Sequence, residues 1–252
     1  MQAKTIPADL RVLLLPALGT DQALYDALRA ALAELRRRPG STAVSALQYG
    51  PSRRGEDLRT YVRRQFSEQF NGPGEFDLVI GTSLGGMAAQ ELIAGGLVQT
   101  DRLILISSCF SGRELGWLLR CIAPLFVLLP YIPRVIRRAL IQIVAVLFPI
   151  VRRNVADGPA LTAMIRRADP DFLFASGVMI SRWRKNESPL PLAAGLAPAT
   201  FHIQGHRDPI LSYNRILRVR EPEVTVPKGD HIMILTRASE LAGYIQSAGY
   251  WP

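Results

Sequence analysis

The chain has 252 residues, which is enough for one large domain or two small ones with a sizeable hydrophobic core. Hydrophobic residues make up 48% and charged residues 20%, which excludes intrinsic disorder, collagen-like repeats and a coiled coil as the main state. Lysine and arginine (30) outnumber aspartate and glutamate (21), for a net charge of +9. No nucleic-acid-binding motif accompanies the basic residues, so nucleic acid is not expected as a partner.

Short apolar runs alternate with helix-period segments along most of the chain, a pattern typical of βα units around a parallel sheet. Six runs are predicted to be strands, and the first four of them are apolar enough to be covered by helices on both faces. They are Arg11–Leu15, Thr42–Gln48, Phe76–Ile80, Arg102–Ser107, Thr200–Gln204 and Glu223–Val226. Amphipathic helices are predicted after the first two strands, and a last helix over Thr236–Ala248.

The segment 111–191 interrupts this alternation. It has no strand-like pattern, and several prolines separate its helical stretches. We therefore predict a core formed by residues 1–110 and 192–252, with a helical insertion at 111–191. Inside the insertion, residues 115–156 contain six arginines and no acidic residue, so the basic excess is concentrated there.

The sequence Gly-Thr-Ser-Leu-Gly-Gly, residues 81–86, directly follows the predicted strand Phe76–Ile80 and precedes a segment with helix composition. A G-x-S-x-G pattern between a strand and a helix is typical of a nucleophile elbow. In such a turn the serine has strained backbone angles, and Gly81 and Gly85 remove side chains that would clash. Ser83 is therefore the candidate nucleophile, at a helix N-terminus that favours negative charge.

A serine hydroxyl needs a general base within hydrogen-bond reach and a group that orients the base. Of the three histidines, His231 follows the last predicted strand and so shares the carboxyl edge of the sheet with Ser83. His202 lies inside a strand and is interpreted as a core residue, while His206 is a weaker candidate base. Asp208 also follows a strand and is the candidate acid that orients His231.

Two other acids compete with Asp208. Asp101 precedes its strand and is expected at the opposite edge of the sheet, and Asp230 adjoins His231 in sequence, which makes the required side-chain geometry awkward. The candidate catalytic residues therefore follow the chain order Ser83, Asp208, His231. This is the order found in α/β-hydrolases.

Three motifs resemble those of the α/β-hydrolase superfamily: GTSLGG as the nucleophile elbow, GHRDP as the acid loop and KGDHIMIL as the histidine loop. The resemblance implies an α/β fold with a mostly parallel sheet, here of about six strands, flanked by helices. It also implies that 111–191 is a helical cap and that the backbone N–H groups of Leu18 and Leu84 form an oxyanion hole. Pro16-Ala17 stands where family members commonly have His-Gly.

The resemblance further implies a serine hydrolase of the carboxylesterase or lipase-like type, which cleaves small-molecule esters through an acyl-enzyme on Ser83. No metal and no cofactor is expected. A thioesterase or an acyltransferase would use the same three side chains, and a non-catalytic hydrolase-like module would instead bind an apolar ligand or a membrane. The sequence leaves these alternatives open.

The predicted cap bears on substrate and location. Ala139–Phe148 has one polar residue, Gln142, so this stretch is expected to be buried over an apolar acyl or alcohol pocket, or to dock on an anionic membrane. The uncharged runs of the predicted cap are shorter than the roughly 18 residues that a membrane-spanning helix needs. Two cysteines cannot form a disulfide framework, and Asp9 interrupts the charge pattern of a signal peptide, so a cytoplasmic protein is expected. If the cap docks on a membrane, the protein would be peripheral to that membrane. The oligomeric state is not predicted.

Overall fold

The computed structural model describes residues 7, 9–37, 39–116, 158–183 and 198–252, and five positions between them, 132, 133, 135, 136 and 139. The strands are β1 (Leu10–Leu15), β2 (Thr42–Ala46), β3 (Gly74–Phe76), β4 (Leu78–Thr82), β5 (Val98–Thr100), β6 (Arg102–Ile106), β7 (Ala199–Gly205) and β8 (Val224–Val226). The α-helices are α1 (Asp26–Leu35), α2 (Leu58–Phe70), α3 (Leu84–Ala94), α4 (Gly158–Arg167), α5 (Pro170–Arg182), α6 (Tyr213–Ile216), α7 (Met233–Thr236) and α8 (Ala238–Ser247). Two short 3₁₀ helices cover Gln22–Tyr25 and Gly112–Glu114.

Six strands form one sheet in the order β2-β1-β4-β6-β7-β8, and every pairing in it is parallel. This arrangement confirms the predicted α/β fold with its six-stranded sheet. The chain runs outward from β1 to β2 and then returns to the other side of β1 with β4. Ligands of open α/β sheets bind at such a switch point, beyond the carboxyl ends of the strands.

The predicted strand Phe76–Ile80 is two strands rather than one. β3 pairs with β5 in a separate two-stranded sheet, and β4 enters the main sheet after Asp77. Asp77 separates the two because its N–H donates to the Arg11 carbonyl (2.9 Å) and its Oδ2 accepts from the Arg11 N–H (2.7 Å). The predicted last helix, Thr236–Ala248, is present as α8, which begins two residues later than predicted because Arg237 has a non-helical backbone after the short α7.

The hydrophobic core lies in two layers, one on each face of the main sheet. Leu13 and Leu15 of β1 pack with the buried residues of α2 and α3, whereas Val12 and Leu14 pack with those of α1 and α8. Side chains of a strand alternate between faces, so a strand covered on both faces must be apolar throughout. This is why β1, β4 and β6 appear as nearly continuous apolar runs, whereas the edge strand β2 has no buried residue.

Helices α4 and α5 follow β6 and precede β7 in the chain, inside the segment predicted as an insertion. Asp169 caps the N-terminus of α5, since its side chain accepts from the Phe172 N–H (2.9 Å). At its other end, Trp183 donates its indole N–H to the buried Glu91 of α3 (2.9 Å). These contacts attach α5 to the core.

The six arginines of the acid-free segment and nearly all of the apolar stretch Ala139–Phe148 lie outside the described residues. Among the helices that the structure does describe, none combines the length and the hydropathy needed to span a bilayer. The subdivision into a core and a cap therefore stays a prediction for most of 111–191.

Candidate active site

Ser83 lies in the turn between β4 and α3 with φ 52° and ψ −117°. Positive φ is rare for a residue with a side chain, and a conformation of this kind costs about 1–3 kcal/mol. Neighbouring groups hold it in place: the Ser83 N–H donates to the Ile106 carbonyl (3.0 Å), and its own carbonyl accepts from the Ser108 hydroxyl (2.8 Å). The predicted strained turn is present.

The glycines flanking Ser83 are required by close backbone approaches. A Cβ on Gly81 would lie 2.6 Å from the Gly86 Cα, and a Cβ on Gly85 would lie 1.8 Å from the Leu15 carbonyl oxygen. Both distances are far below van der Waals contact. The first turn of α3 therefore lies directly against the loop that follows β1.

Ser83, His231 and Asp208 form a continuous hydrogen-bonded chain at the carboxyl edge of the sheet. Ser83 Oγ lies 2.8 Å from His231 Nε2, and His231 Nδ1 lies 2.7 Å from Asp208 Oδ2. The three residues follow β4, β8 and β7, which share one edge because the strands are parallel. The Asp208 side chain is fully buried, that of His231 is 9% exposed and Ser83 is half-buried, so the exposure of the three residues is greatest at the serine.

The environment of Asp208 favours its ionised form. Burial alone would raise the pKa of this carboxyl, but the facing His231 ring and the N–H groups of Ile210 and Leu211 outweigh it and hold the pKa below its ordinary value. An ionised Asp208 accepts a hydrogen bond, so Nδ1 of His231 carries the proton. Nε2 is then free to accept from the Ser83 hydroxyl.

The other two histidines lie elsewhere. His202 is fully buried, its Nε2 lies 3.0 Å from the Ser108 carbonyl oxygen, and burial lowers its pKa to about 4. It is a neutral core residue, as expected. His206 is exposed and packs against Tyr213, with 4.7 Å between ring centroids. Only His231 contacts the candidate nucleophile.

The competing acids are also placed by the structure. Asp101 stands just before β6, where its carbonyl accepts from the Ala199 N–H (2.9 Å), and so lies at the amino edge of the sheet. Asp230 turns its Oδ1 to the backbone N–H of Ile232 (3.0 Å). Asp208 is thus the carboxylate that meets the His231 ring.

The two N–H groups predicted to form an oxyanion hole lie on adjoining segments. Leu84 is the first residue of α3, a position whose N–H has no acceptor within the helix. Leu18 lies in a turn after β1 that is closed by a hydrogen bond from the Thr20 N–H to the Ala17 carbonyl (3.2 Å). The contact between Gly85 and the Leu15 carbonyl brings the two segments together. Their role in binding an oxyanion stays a prediction.

Two polar side chains next to the candidate triad were missed by sequence reasoning. Gln204 donates to Asp208 Oδ2 (2.9 Å), and Ser108 donates to the Ser83 carbonyl (2.8 Å). Both are buried. The sequence indicated both, because a polar side chain at the carboxyl end of an apolar strand is expected to be buried and to need a hydrogen-bond partner. The candidate triad lies at the same edge of the sheet.

Glu114 has a buried side chain and contacts the segment that follows Asp208 through its backbone carbonyl. Glu114 Oε1 accepts from the N–H groups of Phe110 (2.8 Å) and Ser111 (2.6 Å), and the Glu114 carbonyl accepts from the N–H of Ser212 (3.1 Å). Burial raises the pKa of Glu114 to about 8, although the two N–H groups act in the opposite direction. The folded protein therefore takes up a proton here well above the usual carboxyl range.

This shifted pKa predicts a pH-dependent stability. Between the ordinary value of 4.5 and about 8, the folded state binds more protons at Glu114 than the unfolded state. The stabilisation of the fold by the protonated Glu114 is therefore fully present below pH 4.5 and is lost as pH rises toward 8. Glu114→Gln removes the titration, so the fall in unfolding free energy from about pH 5 to 8 should be smaller by roughly 2–4 kcal/mol.

Urea denaturation at several pH values measures this difference. Glu221→Gln is the matched control, since Glu221 is exposed, and its profile should parallel that of the wild type. Parallel profiles for Glu114→Gln and the wild type would contradict the assignment.

Across residues 9–116, apart from position 38, and across 158–183 and 198–252, no group of three or more His, Cys, Asp or Glu side chains is placed to hold a metal ion.

The sequence matches the model of the alpha/beta hydrolase family over residues 12–243. The chain therefore belongs to the alpha/beta hydrolase family, as its motifs predicted. No sequence match to a curated protein was found.

Solved structures from several bacteria resemble the chain over nearly its whole length. A thermophilic esterase from Thermogutta terrifontis has a TM-score of 0.59 at 15% identity, and the match covers 95% of this chain and 89% of the esterase chain. The enol-lactonase from Burkholderia xenovorans LB400 has a TM-score of 0.62 at 15% identity, with coverages of 96% and 91%. Homoserine O-acetyltransferase from Staphylococcus aureus has a TM-score of 0.66 at 14% identity, with coverages of 96% and 86%. At such identities the likeness establishes a common fold.

Proposed function

We propose that the protein is a serine hydrolase that cleaves carboxylic esters, with Ser83 as nucleophile, His231 as general base and acid, and Asp208 as the residue that orients His231. The observation that carries the proposal is the unbroken contact from Ser83 Oγ through His231 to Asp208, with distances of 2.8 and 2.7 Å. A strained serine at a helix N-terminus, in contact with a histidine whose other nitrogen faces a buried carboxylate, is suited to nucleophilic catalysis.

In the proposed reaction, Ser83 Oγ forms a bond to the ester carbonyl carbon while His231 Nε2 takes the hydroxyl proton. The carbonyl oxygen becomes an oxyanion, which the N–H groups of Leu18 and Leu84 stabilise. When the bond to the alkoxy oxygen breaks, His231 gives its proton to the departing alcohol and Ser83 retains the acyl group. Water then attacks the acyl-enzyme by the same steps and releases the acid.

We propose that the substrate carries an apolar acyl or alcohol group. Apolar side chains of α4 and α5 adjoin the loop after β1: a Cβ on Gly19 would lie 3.0 Å from Leu173 Cδ2 and 3.7 Å from Ile165 Cγ1. The neighbouring Leu18 is itself partly buried in the core. Acyl chains that reach this region would therefore contact hydrocarbon.

A series of p-nitrophenyl esters from acetate to octanoate tests the substrate class. We expect kcat/KM to rise along the series, because each buried CH₂ contributes about 0.8 kcal/mol, or roughly fourfold. A series in which acetate is the best substrate would contradict an apolar pocket. Repeating the series with anionic vesicles tests whether the cap docks on an anionic membrane. If it does, the vesicles should increase the rate.

An acyltransferase or a thioesterase would share the acyl-enzyme and differ in the group that is transferred or released. The structural likeness to an O-acetyltransferase makes the acceptor worth testing. Thioester analogues of the same chain lengths, and alcohol acceptors added to the assay, separate these activities by product. Free acid as the sole acyl product from esters supports ester hydrolysis.

A further inference from the structure

Three consecutive carbonyl groups, at the last residue of β1 and the first two residues of the loop that follows, each accept a hydrogen bond from a side-chain hydroxyl. The donors come from three different places in the chain, and the distances are short. The pairs are Tyr25 with Leu15 (2.6 Å), Tyr49 with Pro16 (3.0 Å) and Thr20 with Ala17 (2.8 Å). We call these three hydroxyls the hydroxyl clamp.

Holding a carbonyl also fixes the next N–H group in the chain. A trans peptide is planar, so its C=O and N–H point in opposite directions and cannot turn separately. The described residues contain no cis peptide bond. The Ala17 carbonyl and the Leu18 N–H belong to one peptide unit, and Thr20 holds that carbonyl through both its hydroxyl (2.8 Å) and its N–H (3.2 Å).

The clamp also acts on the part of the loop that touches the nucleophile turn. A Cβ on Gly85 would lie 1.8 Å from the Leu15 carbonyl oxygen and 2.6 Å from the Pro16 carbonyl oxygen. These are the two carbonyls held by Tyr25 and Tyr49. The hydroxyls and the first turn of α3 together leave this backbone little freedom.

We propose that the hydroxyls of Thr20, Tyr25 and Tyr49 are positioning groups that fix the Leu15–Leu18 backbone, so that the Leu18 N–H points to the place where negative charge develops on the substrate oxygen. The inference rests on the proposed ester hydrolysis at Ser83. Donors that stabilise an oxyanion are effective when they are oriented before the reaction, because no energy is then spent on turning them. Pro16 has no N–H of its own, so the donor must come from a later residue of the loop.

Thr20→Val and Tyr49→Phe test the clamp, because each removes a hydroxyl and keeps nearly the same shape. Tyr49→Phe also keeps the ring, which is stacked on Phe172 of α5 at 5.0 Å between centroids. Tyr61→Phe is the matched control. Its ring stacks on the same Phe172 at 4.9 Å, but its hydroxyl donates to the Gly50 carbonyl (2.7 Å), outside the loop.

We expect Thr20→Val and Tyr49→Phe to lower kcat for p-nitrophenyl esters by about 10- to 100-fold, less than the full loss of an oxyanion donor, with KM changed by less than about twofold. Thr20→Ser retains a hydroxyl and should restore kcat, and Tyr61→Phe should match the wild type. Affinity for a trifluoromethyl ketone should fall with kcat, because addition of Ser83 Oγ to this ketone places an oxyanion at the same position.

The controls separate this inference from the proposed function. If wild-type activity survives in Ser83→Ala, the proposed function fails. If activity depends on Ser83 while Thr20→Val and Tyr49→Phe behave like Tyr61→Phe, the clamp alone is refuted. Circular dichroism establishes that each variant is folded, and should Thr20→Val not fold, the comparison of Tyr49→Phe with Tyr61→Phe decides the question.

Discussion

Ser83→Ala is expected to lower kcat for ester hydrolysis by at least about 10⁴-fold while leaving the protein folded. The change removes the oxygen that we propose attacks the carbonyl, and the residual rate would come from substrate binding and oxyanion stabilisation alone. Ser83 Oγ contacts Nε2 of His231, whereas Asp208 contacts Nδ1 on the other side of the ring. Removal of Oγ therefore leaves the buried contact between His231 and Asp208 intact. The measurement is the steady-state rate with a p-nitrophenyl ester.

Ser247→Ala is a suitable control for this experiment. Ser247 ends α8 and is exposed, so the same chemical change is made away from the site. The control should keep the wild-type rate. A Ser83→Ala protein that is folded and retains the wild-type rate would refute the assignment of the nucleophile.

Asp208→Asn is expected to lower kcat by about 10³- to 10⁴-fold, the second-largest effect. Each oxygen of this carboxylate accepts from two donors, and the four donors are the side-chain groups of His231 and Gln204 on Oδ2 and the N–H groups of Ile210 and Leu211 on Oδ1. An asparagine must turn its NH₂ toward one of these pairs of donors. With its oxygen toward the backbone, it opposes the tautomer of His231 that can accept from Ser83.

Asp101→Asn is the control for Asp208→Asn, since Asp101 lies at the opposite edge of the sheet. It should leave kcat unchanged. The pH dependence of unfolding serves as a second readout. Because the pKa of Asp208 is lowered in the folded protein, its carboxylate stabilises the fold at pH values above the ordinary pKa, and this stabilisation is lost as pH falls through the lowered pKa. Equal kcat values for Asp208→Asn and Asp101→Asn would contradict the role of Asp208.

The sequence predicted the parts of the site that depend on chain order and strand direction. Ser83, Asp208 and His231 each follow a strand, and parallel strands bring their carboxyl ends to one edge. Together with the G-x-S-x-G pattern, this rule pointed to these residues, and it placed Asp101 at the opposite edge. The apolar runs of the sequence predicted the number of strands in the main sheet.

Features that depend on tertiary contacts could not be predicted in this way. The division of the strand at Asp77 follows from the capture of its side chain by the Arg11 N–H. Tyr25 and Tyr49 resemble ordinary apolar residues in the sequence, and nothing local indicates that their hydroxyls reach consecutive carbonyls of one loop. Gln204 gives a weak signal, as a polar residue in an apolar strand, but its partner becomes apparent only in the fold.

Covalent labelling with a fluorophosphonate followed by peptide mass spectrometry tests the central claim most directly. The phosphorus is attacked by an activated serine oxygen with loss of fluoride, so the probe reports nucleophilicity and needs no knowledge of the natural substrate. We expect one adduct per chain, on the peptide that contains Ser83, and none in Ser83→Ala. Folded wild-type protein that is not labelled, or is labelled at another serine, would contradict the account.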